Sequence, residues 1–494
     1  MKEQIFSAKN FQEIFDSENR KGNDIEQKFK NSFEESIELR KKIKTLSQKI
    51  NKERDKTRKI ELQEERKELK KNREERIFQV LEQVSENINK SSYSVNILEG
   101  GVYGKTSYQL ENTLENLFLS KQLQQNIHRK YKIRQSSRFE ILSLLKNLLE
   151  DGFPKFIIRT DIKSFYESIP QKAVLEKIKG DNLLSLKTQR FIGEILTGYN
   201  IATSQTKDFK GVPRGIGVSA YLSELYMRAV DNKIKELPDL IFYARYVDDI
   251  IAVFTPQKEE KGLLKKYKNG IYNIIQDNHL SINEDKTIPV NLNHDLKPIN
   301  FDDTSCNPIE FLGYKIGSKK IQKVKKDQNG NDVSYDDYIL SIEMSKRKLD
   351  RYKKKIKLAY DDFEKKKNHD RQNAFKLLLA RMDYLTTNTK LRNNKSRVFV
   401  GIYYSNPFLI NCDSLTQLNR SNQWRVSRFG FTSIEKEKLV KCNFEEGFDK
   451  QIFRPLPLIK KIYKNHNGKA RHTSNKGILQ FGLSEITKIW KNAE

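Results

Sequence analysis

The segment Phe242-Tyr-Ala-Arg-Tyr-Val-Asp-Asp-Ile-Ile-Ala-Val-Phe254 constrains this chain more than any other. Apolar and aromatic residues on both sides of Tyr246-Val-Asp-Asp249 predict two short buried strands joined by a tight turn. Asp248 and Asp249 then stand together at the tip. Adjacent carboxylates held between buried strands need a counter-charge, and a divalent cation with oxygen ligands supplies one compactly. A lone Tyr-x-Asp-Asp also occurs in ordinary turns, so its meaning depends on the rest of the chain.

A third carboxylate follows the same logic. In Ile157-Ile-Arg-Thr-Asp-Ile-Lys-Ser-Phe-Tyr-Glu-Ser-Ile169 a β-rich run ends at Asp161, and the pattern then turns helical. Read alone, Asp161 fits a helix N-cap as well as a metal ligand. Two metal ions about 3.5–4 Å apart need carboxylates converging from separate strands, and Asp161 and Asp248 sit at such strand ends.

Further motifs lie downstream: Gly211-Val-Pro-Arg-Gly215 with Ser219, Leu280-Ser-Ile-Asn-Glu-Asp-Lys-Thr287, and Phe311-Leu-Gly-Tyr-Lys-Ile316. With Asp161 and Tyr246 to Asp249 they stand in the order of the catalytic motifs of reverse transcriptases, and the chain resembles that family from residue 157 to 316. The resemblance implies an α+β right-hand polymerase. Residues 1–90 would form an N-terminal helical hairpin, 91–317 the fingers and palm, 318–390 a helical thumb and 391–494 a C-terminal extension.

It also implies roles. Asp161, Asp248 and Asp249, with the backbone of Ile162, would hold two Mg²⁺ ions. Lys286 would act as general acid toward the leaving pyrophosphate, since a flexible ammonium both neutralises charge and donates a proton. Outside the motif context it reads as a surface lysine. Tyr166 would lie beneath the incoming sugar and exclude a 2′-hydroxyl, unless it is a core aromatic. Gly211, Pro213, Arg214 and Gly215 would position nucleotide against template, and Lys105 and Arg138 would contact the nucleotide. Arg134 and Arg159 are further basic candidates for phosphate. Phe311, Leu312, Gly313 and Tyr314 would form the primer grip. Tyr93 to Ile97 and Val102 to Tyr108, around Glu99-Gly-Gly101, resemble the fingers hairpin.

Two departures narrow the resemblance. Arg214 stands where the family usually has Gln, and Ala220 where it usually has Pro. Arg and Gln differ in charge and donor inventory, so contacts with template or nucleotide change. The continuation Ser219-Ala-Tyr-Leu-Ser-Glu-Leu-Tyr-Met227, with Asp231, resembles the bacterial abortive-infection and defence-associated reverse transcriptases. That implies a cytoplasmic bacterial protein using RNA as template or structured noncoding partner, DNA as primer or product, and dNTPs. A second reverse transcriptase or another copy of the chain is a possible partner. A retron-like or mobile-element enzyme, a template-independent or protein-primed polymerase, and a noncatalytic RNA-binding scaffold are the alternatives.

The charge balance fits a polyanion partner: 93 Lys and Arg against 65 Asp and Glu leave +28. Binding to phosphates should then weaken steeply with salt. No run approaches the ~20 apolar residues of a membrane span. Cys306, Cys412 and Cys442 form no Cys-x-x-Cys pair, which argues against a zinc knuckle or disulfide framework. His466-Asn-Gly-Lys-Ala-Arg-His472 reads as a basic loop rather than a nuclease motif.

Ile25, Phe29, Phe33 and Ile37 fall on one helical stripe, followed by a mixed-charge run and a second apolar face from Ile77 to Val84, which predicts an antiparallel helical hairpin. Asp327 to Asp332 reads as a turn between strands. Met344 to Leu385 reads as a helix carrying Lys346, Arg347, Lys353, Lys354, Lys355 and Lys357.

Overall fold

The computed structural model describes residues 4–101, 106–151, 153–258, 262–292, 308–326, 332–390, 399–452 and 481–490. Lys105, Cys306, nearly all of the turn expected at 327–332 and the 466–472 loop lie outside them.

The N-terminal region comprises α1 (Ala8–Arg20), α2 (Ile25–Lys28), α3 (Glu34–Ile50) and α4 (Lys56–Asn89). Ser7 caps α1 by accepting the Asn10 amide, and Asp55 caps α4 by accepting the Arg58 amide, which satisfies donors that helix starts leave orphaned. α3 and α4 form the expected hairpin. The Ile25–Ile37 stripe, however, is not one helix. Phe29 leaves helical geometry (φ −121°, ψ 57°) and a 3-10 turn spans Lys30–Phe33. The bend encloses buried Glu26, which pairs with Arg73 at 2.5 Å and Arg40 at 3.2 Å. Helical spacing persists across the break because Ile25 and Phe33 are buried on both sides of it.

A short hairpin follows, β1 (Ile97–Glu99) against β2 (Tyr108–Leu110), paired Ile97 to Leu110 and Glu99 to Tyr108. Both strands lie later than the sequence pattern suggested. Next come α5 (Leu114–Tyr131), α6 (Arg138–Leu149), β3 (Lys155–Asp161), α7 (Phe165–Ser168), α8 (Gln171–Asp181), α9 (Leu186–Ala202), α10 (Gly217–Lys235), β4 (Leu240–Tyr246), β5 (Asp249–Phe254), α11 (Leu263–Asp277) and β6 (Ile288–Leu292).

Strands β4, β5, β3 and β6, in that order, form one antiparallel sheet. Period-2 alternation divides its side chains between two cores. Phe156, Ile158, Ile250, Ala252 and Phe254 join a core with the buried faces of α1, α5 and α8–α11. Ile157, Ile251 and Val253 join a second core with α6 and the elements that follow. Burying each such side chain contributes about 1.5–3 kcal/mol, so slipping a strand by one residue is strongly disfavoured. The register that sets the acidic residues is thereby fixed.

The second core is completed by β7 (Ile309–Phe311), β8 (Tyr314–Lys326), β9 (Asp332–Met344) and α12 (Lys346–Thr386). Position 317, an expected boundary, lies inside β8. α12 is interrupted at Asp370 (φ −154°, ψ 87°), whose carboxylate accepts the Asn373 amide and restarts the helix. β10 (Asn388–Lys390) pairs with β11 (Phe399–Gly401), and α13 (Ser414–Arg428), α14 (Ser433–Val440), α15 (Phe444–Asp449) and α16 (Leu483–Thr487) follow. These pack on α12 rather than forming a separate extension: Leu418, Leu439, Phe444 and Trp490 share the core of Ile356, Tyr360 and Phe363. Buried Arg381 pairs with Asp362 at 2.6 Å and donates to the Ile486 carbonyl at 3.2 Å. Lys353 donates to Gln417 at 3.1 Å and Lys355 lies over the Trp490 ring, whereas Lys346, Arg347, Lys354 and Lys357 are exposed. Among the described residues no helix is long and apolar enough to cross a membrane.

Candidate active site

The acidic residues meet through strand register. β4 and β5 close with Tyr246 opposite Asp249, leaving Val247 and Asp248 as a two-residue turn. On the other side of β5, Asp249 stands opposite Asp161 at the end of β3. The Ile162 amide then donates to the Asp248 carbonyl at 3.0 Å. Asp161 does not cap α7, whose N-cap is Ser164.

Val247 takes φ +60°, a region that a β-branched residue enters only when its surroundings impose it. Arg245 imposes it. Its guanidinium is almost wholly buried, donates to the Val247 carbonyl at 2.9 Å, and pairs with Glu224 at 2.7 Å and Asp231 at 2.8 Å, both from α10. Burial opposes the Arg245 charge, but the hydrogen bonds to Asp231 and Glu224 outweigh it and raise the group above its ordinary value.

The carboxylates are held by cations of the chain itself. Lys286 donates to Asp161 Oδ2 at 2.9 Å, and Arg159 pairs with Asp249 Oδ1 at 2.5 Å while donating to the Lys286 carbonyl at 2.9 Å. The Asp161 carbonyl accepts the Asn283 amide and the Ser281 carbonyl accepts the Lys163 amide, so the 281–286 segment is laced along the end of β3. Burial raises the Asp249 carboxyl; Arg159 opposes this, and the neighbouring Asp248 and Asp161 charges add to it.

Among the described residues no three acidic, histidine or cysteine side chains converge tightly enough to cage an ion. Asp249 is drawn toward Arg159, and Asp161 shares one oxygen with Lys286. The fit to a cation nevertheless holds at Asp161 and Asp248. Asp161 Oδ1 is buried without a hydrogen-bond partner, a costly state for a carboxylate oxygen that a hard cation relieves. Asp248 occupies the adjoining turn.

Tyr166 and the 211–215 segment are also brought together. The Val212 amide donates to the Tyr166 carbonyl, and the Gly211 amide to the Ile169 carbonyl, each at 2.7 Å. Arg214 does not extend toward open space. Its guanidinium pairs with Glu167 at 3.0 Å and lies 5.1 Å over the Tyr166 ring. Burial pushes the Tyr166 phenol up; Arg214 opposes this and Asp248 adds to it. Pro213 accepts from the Ser219 hydroxyl at 2.7 Å. At Gly215 (φ +101°) a Cβ would stand 2.6 Å from the Tyr108 carbonyl, because β2 crosses there and the Tyr108 amide donates to the Arg214 carbonyl. Only glycine allows that approach.

Phe311 and Tyr314 are buried and close the β7–β8 hairpin, with Leu312 (φ +46°) and Gly313 (φ +78°) at its turn. Arg138 belongs with this hairpin: its guanidinium lies 5.6 Å over Tyr314, on which Lys348 also sits at 4.5 Å. Arg138 was expected at the nucleotide. Its place follows from the start of α6, which packs beside β7 and β8.

Sequence reasoning gave no role in the site to Glu167, Glu224, Asp231, Arg245 or Lys348, although Glu224 and Asp231 lie in the segment that marks the subfamily resemblance. Glu224 and Asp231 lie seven residues apart on α10, a spacing that aligns them on one face, but nothing in the chain marked their partner.

The family model for "Reverse transcriptase (RNA-dependent DNA polymerase)" matches residues 103–316, the span that contains these motifs. The chain carries a reverse transcriptase domain. Its sheet, acidic turn and 211–215 loop all fall inside that span. No curated protein matches the sequence. Similar solved structures include telomerase from Candida albicans in complex with a fragment of telomeric RNA, at 13% identity over 72% of this chain and 65% of that one, with TM-score 0.36. Apo telomerase from Candida tropicalis is similar at 14% identity over 72% and 64%, with TM-score 0.33. A form of it truncated at the C-terminal domain has 17% identity over 45% and 53%, with TM-score 0.30. The chain thus spans between about half and two thirds of the length of these structures. Reverse transcriptase domains generally use divalent metal ions.

Proposed function

We infer that the chain is an RNA-directed DNA polymerase that transfers nucleotides from dNTPs to a primer 3′-hydroxyl. The observation that carries this reading is the register placing Asp161 opposite Asp249, with Asp248 in the adjoining turn, inside a reverse transcriptase domain. Residues from 91 through the β8 and β9 strands, which run past the boundary expected at 317, serve as fingers and palm, α12 as thumb, and the flanking regions brace them.

Asp161 and Asp248, with the Ile162 backbone and support from Asp249, would hold two Mg²⁺ ions, which would supply activation of the attacking hydroxyl and charge neutralisation at the leaving pyrophosphate. Arg159 keeps Asp249 in place. Lys286 is exposed enough to leave Asp161 and deliver its proton to the pyrophosphate. Tyr166 meets the incoming sugar at C2′ and disfavours ribose. Gly211 to Gly215 seat the nucleotide against the template, and Phe311 to Tyr314, with Arg138, hold the primer strand. Lys105 contacts the triphosphate.

The Ser219–Met227 continuation supports a bacterial, cytoplasmic role in antiphage defence with a structured noncoding RNA. Purified protein with its copurifying RNA, given Mg²⁺ and labelled dNTPs singly and mixed, tests the activity. DNA that requires the mixture and is lost after ribonuclease treatment supports RNA-directed synthesis. Homopolymer from one dNTP after ribonuclease treatment overturns it in favour of untemplated synthesis. Phage plating on cells expressing the unaltered protein or Asp248→Asn tests the defence role; equal plaque counts on both contradict it.

A further inference from the structure

Arg214 replaces a residue that would be uncharged in most relatives, and the structure gives its charge a destination. Its Nε donates to Glu167 Oε1 at 3.1 Å and its Nη2 to Oε2 at 3.3 Å, a fork-to-carboxylate pairing that fixes the guanidinium plane. That plane lies 5.1 Å over the Tyr166 ring. Glu167 is the residue next to Tyr166, so the ion pair loops from one side of the ring to its face.

Both backbones beneath the pair are anchored. The 166–171 segment is tied to 209–212 through Val212 to Tyr166, Gly211 to Ile169 and Gln171 to Phe209. Gln171 Nε2 also donates to the Gly211 carbonyl at 2.8 Å. On the opposite side the Arg214 carbonyl accepts the Tyr108 amide at 2.6 Å. With the main chain held, the remaining freedom at Tyr166 is ring orientation, and the guanidinium face restricts it.

We propose that Glu167 is a positioning residue for sugar discrimination: it clamps Arg214 against Tyr166 and thereby holds the ring where it meets a ribose 2′-hydroxyl. This rests on the reading of Tyr166 as the residue beneath the incoming sugar. Arg214 is then a specificity element of the nucleotide pocket rather than a template contact. Because Glu167 and Arg214 are each about one third exposed, the clamp shifts selectivity and does not create it. Its loss lowers discrimination about two- to tenfold, the size of a partly exposed ion pair plus a cation–π contact.

The test measures kcat/KM for a dNTP and the matching rNTP in the unaltered protein, Glu167→Gln, Arg214→Met, the double variant and Tyr166→Ala. Each ratio comes from one preparation, so a reduced folded fraction cancels, and Arg214→Met breaks the clamp independently should Glu167→Gln not fold. The clamp predicts that each single variant raises relative rNTP use, that the double variant is no worse than either, and that Tyr166→Ala exceeds them all. If Tyr166→Ala collapses discrimination while Glu167→Gln and Arg214→Met leave it unchanged, the clamp is refuted and the sugar gate stands. Unchanged discrimination in Tyr166→Ala overturns both.

Discussion

Arg245 is the strongest test of how the acidic turn is held. Arg245→Met keeps most of the side-chain volume and removes the guanidinium. Glu224 and Asp231, whose side chains are only 14% and 17% exposed, lose their cation, and the Val247 carbonyl loses its donor. Breaking a buried ion pair costs about 3–5 kcal/mol, and the carbonyl bond adds about 1 kcal/mol. Partial exposure lets water reach the carboxylates, and Asp231 keeps the Tyr243 hydroxyl at 2.7 Å, so the lower end of about 3–4 kcal/mol applies. Freed from Arg245, Val247 has reason to leave φ +60°, and Asp248 moves with it. A displacement of about 1 Å can cost about 10²-fold in rate. Urea unfolding followed by circular dichroism gives the stability, and hydrogen exchange across 240–254 locates the loss. Adding Glu224→Gln and Asp231→Asn to Arg245→Met should recover part of it by removing the stranded charges. A loss below about 1 kcal/mol, or no recovery in the triple variant, refutes the reasoning.

Lys286→Met should lower single-turnover nucleotide addition about 10²- to 10⁴-fold with little change in dNTP affinity; a loss in affinity alone would show that Lys286 only binds. Burial, with Arg138 and Arg351 nearby, pushes Lys348 down to about 7, outweighing the Ser405 carbonyl and the Tyr314 ring, which favour the ammonium. Its folded value lies below that of an unfolded lysine, so Lys348 makes stability rise with pH from about 7 to about 10.4, while its positive charge disappears from the hairpin over the start of that window. Fluorescence anisotropy should show primer–template binding weakening as pH rises through about 7, with a flatter profile in Lys348→Met. Gly215→Ala, which places a Cβ 2.6 Å from the Tyr108 carbonyl at φ +101°, should cost more than about 1 kcal/mol and speed hydrogen exchange at 108–110; unchanged exchange there would show that β2 does not depend on this approach.

The parts of the site written in local pattern were readable. A strand end at Asp161 and a turn at Asp248 were expected from neighbours in sequence, whereas Asp249, expected beside Asp248 at the tip, lies in β5 opposite Asp161. Phe311 to Tyr314 were marked only by their likeness to a family motif, and the hairpin they close was not read from the pattern. Glu167 with Arg214, and Arg245 with Glu224 and Asp231, were not legible, because each pairing exists only after distant segments pack. The Ile25–Ile37 stripe misled because a 3-10 turn preserves nearly the same apolar spacing as a helix while changing direction. The tail looked separate because its aromatic residues, Trp490 among them, are far in sequence from the α12 surface that buries them.

The most direct measurement of the central claim is primer extension by purified protein carrying Asp161→Asn or Asp248→Asn, beside the unaltered protein and a chelator-treated sample. The carboxylate register predicts DNA from the unaltered protein with divalent metal, none after chelation, and a loss of at least about 10³-fold in each variant, as expected when several kcal/mol of charge stabilisation are removed. DNA synthesis undiminished in both variants would contradict it.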